Sequence, residues 1–174
     1  MSLPLLPDMP LQGVPIQAFY VKRLGSAEAV EARRRQVRDA GHANGVRFAF
    51  ERIERMPNTL AAHALLELAG RTGGSTLQSL LIDQLFDAYF LQGLDIGDVQ
   101  VLADLGETCG IARTASFELM LAAAGARPVH PWLDESRRAG VSGVPGFVFG
   151  NGVTRFGAQP PELLAAIMLA SMRS

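Results

Sequence analysis

The tightest constraint on this chain lies between Gly140 and Leu164, in the segment GVSGVPGFVFGNGVTRFGAQPPELL. Phe147-Val148-Phe149 and Val153 to Phe156 are short apolar runs. Gly150-Asn151-Gly152 between them supplies residues that accept positive φ without strain, so the pattern predicts a β-hairpin. Gly157-Ala158-Gln159 then leads into Pro160-Pro161-Glu162. Proline suits a first helical turn, where its missing N–H would have had no partner, and Glu162 suits the positive end of the helix dipole. A helix from Pro161 to Met172 should therefore follow the hairpin directly.

The preceding residues read mostly as helices. Ser26 is a candidate N-cap for a helix ending near Gly41 or Gly45. Arg33-Arg34-Arg35 and Arg38 on that helix, with Glu28, Glu31 and Asp39 at pairing distance, read as a solvated mixed-charge face. Val46 to Phe50 is a short extended segment, as edge strand or loop. Pro57 stops what precedes it, and Asn58 or Thr59 can cap the next helix. There Leu60, Ala64, Leu65 and Leu68 recur at helical spacing, with Gly70, Gly73 and Gly74 as its end. Ser75 or Thr76 opens a second apolar face from Leu77 to Tyr89, closed by Gly93. Asp98 caps a third helix through Cys109, and Thr114 or Ala115 opens a fourth to about Ala124. A break at Arg127 to Pro131 and a helix from Trp132 to Ala139 complete the pattern.

With 48% hydrophobic residues, the chain can build a packed core and is too apolar for a disordered one. Its net charge of −1 argues against nucleic acid as a partner, because phosphate binding calls for a basic excess. No apolar run approaches the length of a membrane span, and no basic-then-apolar leader opens the chain, so a cytoplasmic protein without membrane attachment is expected. No histidine and cysteine set stands at metal-ligand spacing, and no glycine-rich loop opens a helix, so neither a metal nor a nucleotide site is expected. The one cysteine, Cys109, cannot form an intrachain disulfide. Glu107, Thr108 and Gly110 beside it offer no cation to lower its pKa, so it reads as a small packed residue. His63, a turn after Asn58, reads as a surface or core filler.

The stretches GVSGVPGFVF and GAQPPELL, with LLPDMPLQG (Leu5 to Gly13), PNTLAAHALLELA (Pro57 to Ala69) and AYFLQGLDIGD (Ala88 to Asp98), resemble thioredoxin-fold proteins of the DsbA type. The resemblance is closest to the FrnE-like and 2-hydroxychromene-2-carboxylate isomerase-like branch. It implies an α+β, thioredoxin-like fold, truncated at the N-terminus, with a large helical insertion. Residues 1–13 and 128–174 would form the thioredoxin-like layer and 14–127 the insertion. It also implies that Val144-Pro145 is a cis peptide, exposing backbone groups that pair with an extended peptide or glutathione. Asn58 would be a ligand contact as well as a helix cap. Ala158 and Gln159 would sit at the corner that holds the γ-glutamyl end of glutathione, although Pro160 and Pro161 remove two N–H donors there.

In that family a Cys-x-x-Cys segment precedes the PDMP stretch, and here almost nothing does. The expectation is a chain of the thiol–disulfide oxidoreductase family that does not exchange dithiols as given, with no catalytic residue and no cofactor assigned. Two alternatives stay open: a glutathione-dependent isomerase or transferase, and a non-catalytic peptide-binding or assembly module. A sheet lacking its first strand would carry unpaired backbone groups. Leu3 to Leu6 or Val46 to Phe50 would have to fill the gap, or two copies pair as a homodimer, which is the arrangement expected.

Overall fold

The computed structural model describes residues 9–125, 145–149 and 152–172. The chain divides into two compact units, Met1–Pro128 and Val129–Ser174. The first opens with β1 (Val14–Pro15), which pairs antiparallel with β2 (Arg55–Met56) in the register Val14↔Met56 and Pro15↔Arg55. This ladder was not expected from the sequence. It is two residues long on each side, below the length at which alternation can be read, and its one proline, Pro15, would argue against a strand. Gly13 makes the approach possible: a Cβ there would lie 2.5 Å from the Met56 carbonyl oxygen.

Helix α1 (Ile16–Leu24) follows, also unforeseen, with Pro15 immediately before its first turn. Its start is tied to β2 by the Ile16 N–H, which donates to the Glu54 carbonyl at 2.9 Å. Gly25 ends it at φ 95°. Ser26 then caps α2 (Ala27–Ala43) as expected, its hydroxyl accepting from the Ala29 N–H at 3.2 Å.

Val46 to Phe50 is not a strand. It runs as irregular chain into a single 3₁₀ turn, Phe50–Arg52. Its aromatic side chains decide the conformation: Phe48 and Phe50 stack at 5.0 Å, and Phe48 meets Phe90 edge-on at 5.4 Å. The Ala49 N–H donates to the Phe90 carbonyl at 2.8 Å, and among the described residues no ladder forms along this segment.

Helix α3 (Leu60–Asp87) carries non-helical angles at Gly74, φ 67° and ψ −160°. The Gln78 side-chain amide donates to the Leu66 carbonyl at 3.0 Å, across 12 positions. Twelve residues of straight helix would span about 18 Å. The two halves therefore fold back at Gly74, where the run Gly70, Gly73, Gly74 predicts a break. A π-helical turn (Ala88–Gln92) leads to Gly93 at φ 75°. Asp98 caps α4 (Val99–Thr108), its carboxylate accepting from the Gln100 N–H at 2.8 Å, and α5 (Arg113–Gly125) completes the unit.

Helices α3, α4 and α5 pack on one another around Leu65, Leu81, Leu102 and Met120, all fully buried. Small residues allow this closeness. A Cβ at Gly106 would meet the Ser116 hydroxyl at 3.2 Å and the Leu65 side chain at 3.4 Å. A second, smaller cluster gathers Ile16, Ile53 and Tyr89 beneath α1 and β2.

In the second unit, β3 (Gly146–Val148) pairs antiparallel with β4 (Thr154–Phe156), Phe147 facing Arg155. Helix α6 (Pro161–Ser171) follows, with Pro160 before its first turn. This is the hairpin and helix that the sequence predicts. The two-unit architecture is mixed α/β with a long helical insertion, α3 to α5. The break at Arg127 to Pro131 and the helix from Trp132 to Ala139 lie outside the described residues, as does Leu3 to Leu6.

Candidate functional site

Asn58 lies in the first unit, buried at 5% exposure. Its Oδ1 accepts from the Leu60 N–H at 2.9 Å, which caps the start of α3. Its Nδ2 donates to the Met9 carbonyl at 2.6 Å, so the same side chain ties the entering chain to the helix. An asparagine amide can make about four hydrogen bonds. These two leave one N–H and one lone pair for any further contact. The neighbouring segment is held by Arg55, which donates to the Gln12 carbonyl at 2.9 Å and faces the Asp95 carboxylate at 3.6 Å.

Pro145, Ala158 and Gln159 lie together in the second unit, at the open end of the hairpin. The Gly157 N–H donates to the Pro145 carbonyl at 2.9 Å, which brings the start of β3 beside the loop leading to α6. The Gln159 side-chain amide donates to the Phe156 carbonyl at 2.8 Å, bracing that loop. Ala158 is exposed. Among the described residues β3 pairs with β4 alone, and Val148 is 59% exposed. Val144 lies outside the described residues, and with it the Val144–Pro145 peptide bond.

Cys109 stands just past the end of α4, half-buried against the α3–α5 core. Burial pushes its thiol above the ordinary range. The negative end of the α4 dipole adds to that, since it opposes a thiolate. Among the described residues no cation lowers the Cys109 pKa to activate it as a nucleophile. His63 is half-buried on the first turn of α3. Among the described residues no three histidine, cysteine, aspartate or glutamate side chains are grouped to hold a metal ion. Among them, too, no helix is long and apolar enough to cross a membrane.

A concavity of the first unit contains none of these residues. It is a half-open cleft of about 620 Å³ between α1 and α2. Ile16, Tyr20, Arg23 and Leu24 form one wall, and Val30, Arg33, Arg34 and Val37 the other. Both sets follow helical spacing, so each is a single helix face. Phe48, Phe50, Ile53, Tyr89 and Phe90 form the floor. The Tyr89 hydroxyl donates to the Arg55 carbonyl at 3.1 Å, and burial first of all pushes its phenol pKa well up, so it stays neutral. In the sequence, Arg33 and Arg34 belong to a run that reads as solvated. What assigns two of its members to a cleft is the i, i+3, i+4, i+7 series from Val30 to Val37, which is legible only once the apolar residues flanking the arginines are counted with them.

A family model described as a DSBA-like thioredoxin domain matches residues 1–168. The crystal structure of a probable DsbA oxidoreductase from Streptomyces coelicolor superposes with a TM-score of 0.81 at 23% sequence identity, covering 99% of this chain and 74% of that one. At that identity the likeness is one of fold, and it shows the mixed α/β topology to be thioredoxin-like. No curated protein matches the chain.

Proposed function

Since this chain belongs to the family of DsbA-like thioredoxin domains, we propose that it acts there as a binding member, not as a dithiol oxidant. It takes an extended peptide, or a small thiol such as glutathione, along the free edge of β3. The observation that carries this reading is Cys109. Dithiol exchange needs two thiols and a thiolate of lowered pKa. These 174 residues hold one cysteine, and its pKa is raised.

The β3 edge supports the binding half. Its backbone groups are paired on one side among the described residues, and strand addition uses such an edge. Pro145 at its start, with Ala158 and Gln159 beside it, would orient the ligand's polar end, and Val144 would pair with its backbone. The PDMP, PNT and GVSGVP stretches lead us to assign the chain to the FrnE-like branch. The same edge also suits a second copy, as a symmetric homodimer in the cytoplasm.

Insulin-reduction turnover and amide chemical shifts under glutathione or an unstructured peptide test both halves. The expected result is no turnover, with shifts confined to 145–149 and 156–159. Turnover that survives Cys109→Ser would overturn the first half, and the absence of any saturable shift in the hairpin would overturn the second.

A further inference from the structure

We propose that the cleft between α1 and α2 is a binding site for a small organic anion: one carboxylate or sulfonate head on a flat aromatic body. The site is separate from the β3 edge, and it stands or falls independently of the reading above.

Size comes first. Pockets that bind drug-sized molecules run to about 300–1,000 Å³. At about 620 Å³ this cleft lies inside that range, with room for two or three fused rings.

The floor then selects the body. Phe48 and Phe50 stack with their planes 9° apart, while Phe90 meets Phe48 and Tyr89 edge-on. These interlocked rings set a fixed apolar surface. Gly41 keeps it in place, because a Cβ there would fall 2.5 Å from the Phe48 ring. A flat ring system gains offset-stacking contacts on such a surface that a flexible polar solute does not.

The rim selects the head. Three guanidinium groups line the cleft and no carboxylate does. Arg34 is engaged with Glu31 at 2.7 Å. Arg33 is held by the neutral Gln36 amide at 2.6 Å, and among the described residues Arg23 has no side-chain partner. Arg38, one turn beyond, lies over the outer face of Phe50 at 5.8 Å and near Glu51 at 3.8 Å. Two guanidinium groups without a carboxylate partner among the described residues thus line one apolar cleft, Arg23 from α1 and Arg33 from α2. A planar fork of donors beside a surface of low dielectric favours a carboxylate or sulfonate over a neutral group of the same shape.

The probes are 1-naphthoate and its neutral isostere 1-naphthamide, titrated into the full chain by calorimetry and by amide chemical shifts. Naphthoate should bind saturably, shifting amides in 16–24 and 30–37, and at least about tenfold more tightly than the amide, as charged hydrogen bonds require. Arg23→Gln with Arg33→Gln should remove that preference and leave naphthamide binding as it was. Arg35→Gln, on the same helix but outside the cleft, should change neither. Naphthoate that does not saturate, that binds no better than naphthamide, or that loses as much affinity with Arg35→Gln overturns the proposal. Should the double variant fold poorly, the naphthoate-to-naphthamide ratio on the unsubstituted chain decides alone.

Discussion

Two regions of the first unit use the same raw material to opposite ends. In the α3–α5 cluster, helices with apolar residues at helical spacing close completely on Leu65, Leu81, Leu102 and Met120. Between α1 and α2, faces with the same spacing stay apart and leave a cleft. The difference lies in what is interleaved with the aliphatic residues. On α3 and α4 it is Ala61, Ala62, Ala69, Ala103 and Gly106, which let backbones approach closely. On α1 and α2 it is Tyr20, Arg23, Arg33 and Arg34. Their long stems lie along the apolar surface, but their heads must stay in water, so the faces are held open. Apolar periodicity determines that a face is buried against something; residue size and charge within the face determine whether protein or a ligand fills the space.

The comparison is broken most forcefully in the closed cluster. Leu102→Ala leaves a void there, since the side chain is fully buried among three helices. Chemical denaturation should show a loss of about 2–5 kcal/mol. Leu24→Ala on the cleft wall, 38% exposed, should stay within about 0.5 kcal/mol of the parent, as surface substitutions do. Equal losses at the two sites would mean that the cleft is as closed as the core.

The next largest effect lies where the floor of the cleft turns. Gly93 ends the π-helical turn at φ 75°, and a Cβ there would sit 2.2 Å from the Arg52 carbonyl oxygen. Gly93→Ala should cost about 1–2 kcal/mol from the left-handed backbone alone, and more from displacing Arg52. It should also shift amide signals in 50–53 while leaving those of α4 and α5 unchanged.

The smallest effect sharpens the comparison at the cleft wall. Ser26→Ala removes the hydroxyl that caps α2. The loss should be about 1 kcal/mol, with faster hydrogen exchange in the first turn of α2. Because α2 forms one wall of the cleft, this variant should also weaken naphthoate without touching the preference for it over naphthamide.

Much of the fold was legible beforehand for local reasons. Ser26 and Asp98 cap helices because a short oxygen-bearing side chain satisfies a free N–H two or three residues on. Gly74 and Gly93 break or end helices because each holds a positive φ. The candidate residues at the hairpin were legible as neighbours for the same reason, with Gln159 only three positions from the carbonyl it braces. The cleft was not legible as a site, because charge along α2 looks solvated until its apolar neighbours on the same face are taken with it.

The amino-acid sequence by itself determined the hairpin of β3 and β4, the helix after it, the caps and the glycine breaks, and the presence of a single cysteine. Each of these depends on residues within a few positions of one another, where backbone sterics and a single hydrogen bond suffice. Only the tertiary structure decided that Val14 pairs with Met56, that Gln78 reaches back to Leu66, that Asn58 grips Met9, and that Phe48 meets Phe90. Those contacts join residues 12 to 49 positions apart. Their partners are chosen by which surfaces the helices bring together, and local preference carries no record of that choice.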